Sequence, residues 1–418
     1  MTEQRIAPDF ERRLQDALRS YSTEGVRAFN PALISERARS AGVGPLGRAW
    51  PRGLLRRVDP RVLRVALLVA LLAVALVIAL AGSRRTVPSL PVPGLVAIGT
   101  TGQILVGDPL SGRFQAFPAG AHDTTPVWSP DGKRIAFSQI GGRDPIQVVD
   151  ADGRNLHAVI DGMGAGEPPA WSPDGARIAF AGYRYPGGAE PGLWVVGADG
   201  TGPTRLVASD AHPNRLAWSP DGSMIAFAQF DGEHSYVHVV DVASGAVTLV
   251  SSPLVDHLEE MAPLAWQPGK VALLYARAAE NLGHDLVIAE RIDGTWVERP
   301  LISDLLAGAA EPMWLDGQRF VFLRSSLGPG TSSLERRPVV GRADGTIERV
   351  LGDAPIEPVA LGCVAPDGSG AAFPVGTNGT PDAIDLLMLP TDGRPATRYP
   401  AGAWVSGGVA CSWQAVGP

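Results

Sequence analysis

The sequence predicts an all-β ring: a seven-bladed β-propeller of four-stranded blades, closed by a C-terminal strand, with six and eight blades as the alternatives. Three observations predict it. A tryptophan-centred motif returns every 43 to 50 residues, a second family of turns can be counted seven times, and 50 Gly with 37 Pro among 418 residues argue for turns over helices.

The motif is clearest at residues 126–137, 169–180 and 216–227, where Trp-Ser-Pro-Asp-Gly is followed two residues later by Ile-Ala-Phe. Weaker copies occupy 264–275, 312–323 and 362–373. The Trp slots are Trp128, Trp171, Trp218, Trp266, Trp314, Val364 and Trp413. Each Trp ends a short strand, the glycine of the turn supplies the positive φ a tight hairpin needs, and Ile-Ala-Phe forms the return strand. A third strand follows, as at 146–150 or 193–197, and a second turn leads into a fourth, as at 156–160. The second turns are Ser111-Gly112, Asp152-Gly153, Asp199-Gly200, Ser244-Gly245, Asp293-Gly294, Asp344-Gly345 and Asp392-Gly393.

Seven second turns meet only six complete first hairpins, because the Trp413 strand has no return strand after it. Residues 94–117 supply three strands with no Trp strand before them. Circular closure resolves both: the strand around 409–413 becomes the innermost strand of the blade begun by 94–117, which leaves no open edge at the seam.

Ahead of the ring the chain changes character. Residues 1–61 carry 12 arginines against 7 acids, whereas 86–418 carry 21 basic against 36 acidic side chains. Between them Val65–Gly82 is 18 residues without a charge, about 27 Å of helix at roughly 1.5 Å per residue. The expected organisation is a basic cytoplasmic segment (1–61), one transmembrane helix (62–82), a linker (83–93) and an extracytoplasmic propeller (94–418). Orientation follows from Arg48, Arg52, Arg56, Arg57, Arg61 and Arg64 before the span against Arg84 and Arg85 after it. A cleaved signal peptide is disfavoured by the sixty residues before the span, and a lipoprotein anchor by the lack of a following cysteine. In the basic segment Phe10, Leu14, Leu18 and Tyr21 share a helical face, with Asp9 as N-cap and Pro31 opening a second short helix.

The Trp-Ser-Pro-Asp-Gly repeats resemble the TolB-type, WD-repeat-like propellers of bacterial envelope proteins, over roughly residues 90–418. The resemblance implies a propeller that serves as an interaction platform in the periplasm. The same repeats also form the gating propellers of some prolyl-oligopeptidase-like peptidases. In place of the separate globular domain that precedes the propeller in TolB, this chain has the basic segment and the apolar stretch, so no TolB-specific partner is carried over.

An enzyme is not expected. A peptidase of the gated type needs a Gly-x-Ser-x-Gly elbow on an α/β domain, and that pentapeptide is absent. Gly162–Gly166 reads as a flexible connection between blades. The acidic ring disfavours nucleic acid. No cofactor motif occurs, and no paired-histidine spacing suggests a metal. The candidate ligand-binding residues lie just before the Trp strands: His122, Asp123, Glu167, His212, Asp256, His257, Glu259, Glu260, Glu311 and Glu357. In a propeller these connections converge on one mouth of the central channel, where they would hold a cationic ligand or a protein or peptide partner. The plainer reading, which composition favours, is that they are ordinary solvated loop residues. Three function classes follow: a membrane-tethered binding platform; a transmembrane signalling protein of anti-sigma-like layout; and a propeller enzyme of lyase or glycosidase type. The zinc-bearing subtype of the second is excluded, since residues 1–60 lack His and Cys.

Cys363 lies one residue before Val364 and Cys411 two before Trp413. Strand alternation points them to opposite faces of their sheets, and opposite faces of neighbouring blades meet. A disulfide at the seam and two packed thiols are both compatible with that placement.

Overall fold

A computed structural model describes residues 94–414, apart from 110–112, 124, 139–145, 161, 166, 185–186, 210–212, 254–262, 279–283, 306–310, 328–333, 359–360, 378–379 and 404–410. The chain divides into two units, Met1–Thr86 and Val87–Pro418. The first, with the expected cytoplasmic helices and apolar span, lies outside the described residues. Among the described residues no helix is long and apolar enough to cross a membrane.

Seven antiparallel sheets make up the described unit. The first blade runs Val127–Trp128, Arg134–Phe137, Gln147–Asp150 and His157–Ala158. The second runs Ala170–Trp171, Arg177–Arg184, Ala189–Gly197 and Thr204–Ala208. The third is Asn214–Trp218, Met224–Phe230, Ser235–Asp241 and Val247–Leu249. The fourth is Ala265–Trp266, Ala272–Ala278, His284–Ile292 and Thr295–Leu305. The fifth is Met313–Trp314, Arg319–Leu327, Leu334–Arg342 and Ile347–Val350. The sixth is Cys363–Val364, Gly370–Thr377, Thr380–Pro390 and Thr397–Ala403. The seventh joins Cys411–Trp413 to Val96–Asp108 and Arg113–Asp123. This is the seven-bladed ring.

One register repeats through all seven. The Trp slot sits opposite the second residue of the return strand: Trp128 on Ile135, Trp171 on Ile178, Trp218 on Ile225, Trp266 on Leu273, Trp314 on Phe320, Val364 on Ala371. Trp413 pairs with Val96 in the same way, so Val96-Ala97-Ile98 stands in the place of Ile-Ala-Phe and closes the circle. The return strands are the core. Ile135, Ala136, Ile178, Phe180, Ile225 and Phe227 are fully buried, flanked by both neighbouring blades.

The first turn is a side-chain device repeated three times. The hydroxyls of Ser129, Ser172 and Ser219 donate to Asp131, Asp174 and Asp221 at 2.6, 2.5 and 2.6 Å. Each hydroxyl also accepts the amide of the first return-strand residue at 2.9 Å. The serine carbonyl accepts the turn glycine's amide, with Gly132, Gly175 and Gly222 at φ 67, 67 and 71°. These bonds hold the three aspartates below the usual carboxylate range. Six of the seven second turns are described, each with its glycine at positive φ. Ser111-Gly112 lies outside the described residues.

Three expectations need correction. Residues 94–117 were expected as three strands, but the first two runs are one continuous strand. Its Val96–Ile98 half pairs with Cys411–Trp413, its Gln103–Asp108 half with Arg113–Pro118, and Gly102 at φ 74° stands between. Gly162–Gly166 is not a flexible connection: Met163–Ala165 is a fully buried strand on the outer half of Arg177–Arg184. The side-chain-free glycines permit this approach, since a Cβ on Gly182 would meet the Gly164 carbonyl at 2.7 Å. Pro168 and Pro169 then interrupt the ladder before Ala170 resumes it. Finally, His122 and Asp123 belong to a strand, Arg113–Asp123, instead of a connecting loop.

The blades are joined by indoles. Trp171 Nε1 donates to the Val127 carbonyl, Trp218 to Ala170, Trp266 to Ala217 and Trp314 to Ala265, at 2.9–3.0 Å. Each bond reaches the residue just before the previous blade's Trp. Val364 has no indole, and the Nε1 atoms of Trp413 and Trp128, the next two slots, have no hydrogen-bond partner, so the series covers four of the seven interfaces. At the seam Cys363 and Cys411, with Cα atoms 5.4 Å apart, form a disulfide between the sixth and seventh blades.

Candidate functional site

Three residues before each Trp slot the chain enters the innermost strand of a blade. Reading round the ring this position holds Thr125, Pro168, Arg215, Pro263, Glu311, Leu361 and Ala410, the last outside the described residues. Four of these, Pro168, Arg215, Pro263 and Leu361, line a single cavity of about 360 Å³, together with Trp128, Trp171, Leu216 and Leu264. Walls drawn from the innermost segments of five blades place this cavity at the centre of the ring. Its lining is largely apolar, and Arg215 is its charged member.

Arg215 and Glu311, the two ionisable residues of that series, share a backbone peculiarity. Both have φ in the left-handed region, 55 and 63°. Side-chain-bearing residues rarely adopt it, and where they do the surrounding structure enforces it. Around Arg215 the cause is visible: the register of Asn214–Trp218 slips between Asn214 and Ala217, a bulge that re-aims the chain.

The electrostatics centre on Glu311. Burial dominates and pushes its carboxyl up to about 7, against the Gly362 amide that hydrogen-bonds to it and the Arg336 and Arg215 guanidinium groups. Its Oε2 is buried with no hydrogen-bond partner. Burial also raises Glu167, and the Arg215 charge opposes the rise. One guanidinium therefore acts on two desolvated carboxylates from different blades. The Glu167 carbonyl accepts the Ser138 hydroxyl at 2.8 Å, and Ser138 shares a 2.7 Å bond with Thr125, which fastens the second blade's entry segment to the first blade.

Of the other residues expected at the mouth, Glu357 is exposed, beside the isolated bridge of Ile356 to Arg336. His122 and Asp123 lie at the end of their strand, with Asp123 opposite Thr101. His212, Asp256, His257, Glu259 and Glu260 lie outside the described residues. Among the described residues no group of three or more His, Cys, Asp or Glu side chains could hold a metal. Arg215 and the apolar wall were missed by attention to acids and histidines alone. The signal was present in the repeats, where a position otherwise filled by Pro, Thr, Leu or Ala carries one Arg and one Glu.

No curated protein matches the chain in sequence. Among solved structures it is similar to TolB from Acinetobacter baumannii, at 14% identity and a TM-score of 0.48, over 77% of this chain and 83% of that one. A puromycin-hydrolysing peptidase from Mycobacterium tuberculosis is similar at 14% identity and 0.52, over 73% of this chain and 50% of that one. An oligogalacturonate lyase from Vibrio parahaemolyticus gives 11% and 0.50, over 71% and 92%. At such identities these likenesses concern the fold alone. The TolB β-propeller domain model matches residues 104–316, half of the chain and its best-formed repeats. By that match and by the ring it predicts, the chain belongs to the TolB β-propeller family.

Proposed function

We propose that the protein is a single-pass, membrane-anchored, extracytoplasmic propeller that binds a protein or peptide partner at the mouth of its central channel, without catalysis. The observation that carries the reading is the Glu311 carboxylate. It is desolvated, has a bare Oε2, and stands in the field of Arg215, which lines a cavity of apolar walls. A peptide segment bringing one cation and an apolar side chain would supply what Glu311 lacks and fill the cavity. The disulfide supports an oxidising compartment, and the basic segment followed by 18 uncharged residues supports a membrane anchor with its N-terminus inside.

Cross-linking of the full-length protein in its membrane, followed by mass spectrometry, tests the reading. The expected result is a specific extracytoplasmic partner whose recovery drops about tenfold or more in Glu311→Lys and Arg215→Glu. Equal recovery in both variants would overturn it.

A further inference from the structure

Alignment of the seven blades on their common register exposes a second site, independent of the channel. The residue before the return-strand partner of each Trp lies against the Trp of the next blade. Arg134 places its guanidinium 4.9 Å from the centre of the Trp171 ring and donates to the Gly175 carbonyl at 3.1 Å. Arg177 lies 4.8 Å over Trp218. Met224 packs in one cluster with Trp266, Ala272 with Trp314, and Leu95 with Trp128. Opposite Trp413 the same position is Gly370, which has no side chain.

The space this leaves is real. A cavity of about 380 Å³ opens between the sixth blade and Trp413, lined by Gly370, Ser369, Met388, Pro390, Tyr399 and Trp413 among others. Trp413 Nε1 is buried without a hydrogen-bond partner, as is Trp128 Nε1, whereas the other four indoles of the series each donate to a carbonyl. Gly370 is not a glycine by backbone dihedral: its φ lies outside the left-handed region, and a Cβ would press the Leu389 carbonyl at 3.3 Å, a contact relieved by a shift of a few tenths of an ångström.

We propose that this cavity binds a guanidinium side chain of a partner peptide, which lies over Trp413 as Arg134 and Arg177 lie over their indoles. The occupant is set by the repeat itself: the ring twice solves the same surface with an arginine, and here that arginine is missing. An aromatic face in a desolvated slot favours a cation, and the hydroxyls of Ser369 and Thr397 in the wall offer acceptors. Arg394, also in the wall, has its charge matched by Asp392 at 2.7 Å. Residues 404–410 and 415–418, the neighbours of Trp413 in sequence, contain no basic side chain to fill the slot.

The test is titration of the full-length protein with N-acetyl-arginine methylamide and, separately, with the neutral N-acetyl-norleucine methylamide, followed by tryptophan indole resonances. Saturable binding of the arginine probe is expected, at least about tenfold tighter than the neutral one. Gly370→Arg should fill the slot from within, abolish that binding and leave the melting temperature undiminished. Should Gly370→Arg fail to fold, Gly370→Met, patterned on Met224 against Trp266, reads the same loss. The Glu311→Gln variant should bind as the wild type does. The proposal is overturned if the neutral probe binds equally well, if the Gly370 variants retain binding, or if Glu311→Gln alone removes it.

Discussion

Glu311 carries opposed forces at one atom, and its protonation therefore registers in the stability of the whole ring. With its carboxyl at about 7 in the folded state and near 4.5 when exposed, the folded chain holds more protons than the unfolded one between those values. Its contribution to stability is then fully present below pH 4.5 and is lost as pH rises to 7, by on the order of a few kcal/mol. Glu311→Gln removes the titration and keeps an acceptor for the Gly362 amide. Thermal unfolding of this variant should lose the decline and show higher stability than wild type at pH 8. Asp131, Asp174 and Asp221 work in the other direction. Their lowered values add stability above the ordinary carboxylate range, and that stability is lost as pH falls below about 4. Ser172→Ala removes the hydroxyl that joins Asp174 to the Arg177 amide, and should cost roughly 1–2 kcal/mol in denaturant unfolding. The Asp-Gly turn was legible from its letters, and the serine hydroxyl that braces it came only with the coordinates. Arg215 was not, because its place in the cavity comes from a bulge and a left-handed residue, which no propensity of Asn214-Arg215-Leu216 announces.

Between elements, the indole bonds make the blades depend on their neighbours in one direction round the ring. Trp218→Phe keeps most of the packing but strands the Ala170 carbonyl, and should cost about 1–2 kcal/mol. Trp413→Phe removes a donor that bonds to nothing, and should cost clearly less. Measuring both variants by chemical denaturation checks the contrast, and equal losses would remove the indole bond as the cause. The Trp period and the Asp-Gly turns made the blades readable, since each is a local instruction repeated at fixed spacing. The Met163–Ala165 strand escaped because Gly-Met-Gly-Ala-Gly has the composition of a loop. It is a strand through a contact with Gly182 and Tyr183, which lie across the sheet and not along the sequence. Gly182→Ala should reveal that contact by a loss of about 1–3 kcal/mol, as the added methyl meets the Gly164 carbonyl.

At the scale of the molecule, the disulfide stands next to the interface where the indole series has ended. It closes 48 residues of sequence, a span for which a cross-link contributes about 2–4 kcal/mol. Cys363→Ser should lower stability by that amount under oxidising conditions and make the protein indifferent to reductant. The charge division of the sequence, its period and its closing strand were all visible without coordinates; the vacancy over Trp413 emerged only when the blades shared one register.

The pairing of Trp413 with Val96 also imposes an order in time. The blade that begins first along the chain is the last to be completed, because its innermost strand is made more than three hundred residues later. Until then Val96–Ile98 presents a bare edge, and six finished blades form an open arc with a half-built one at its head. Pairings so distant in sequence are slow to form, so ring closure is expected to be the final and slowest folding event. During synthesis that edge stays open to pairing with another chain until the last strand is made.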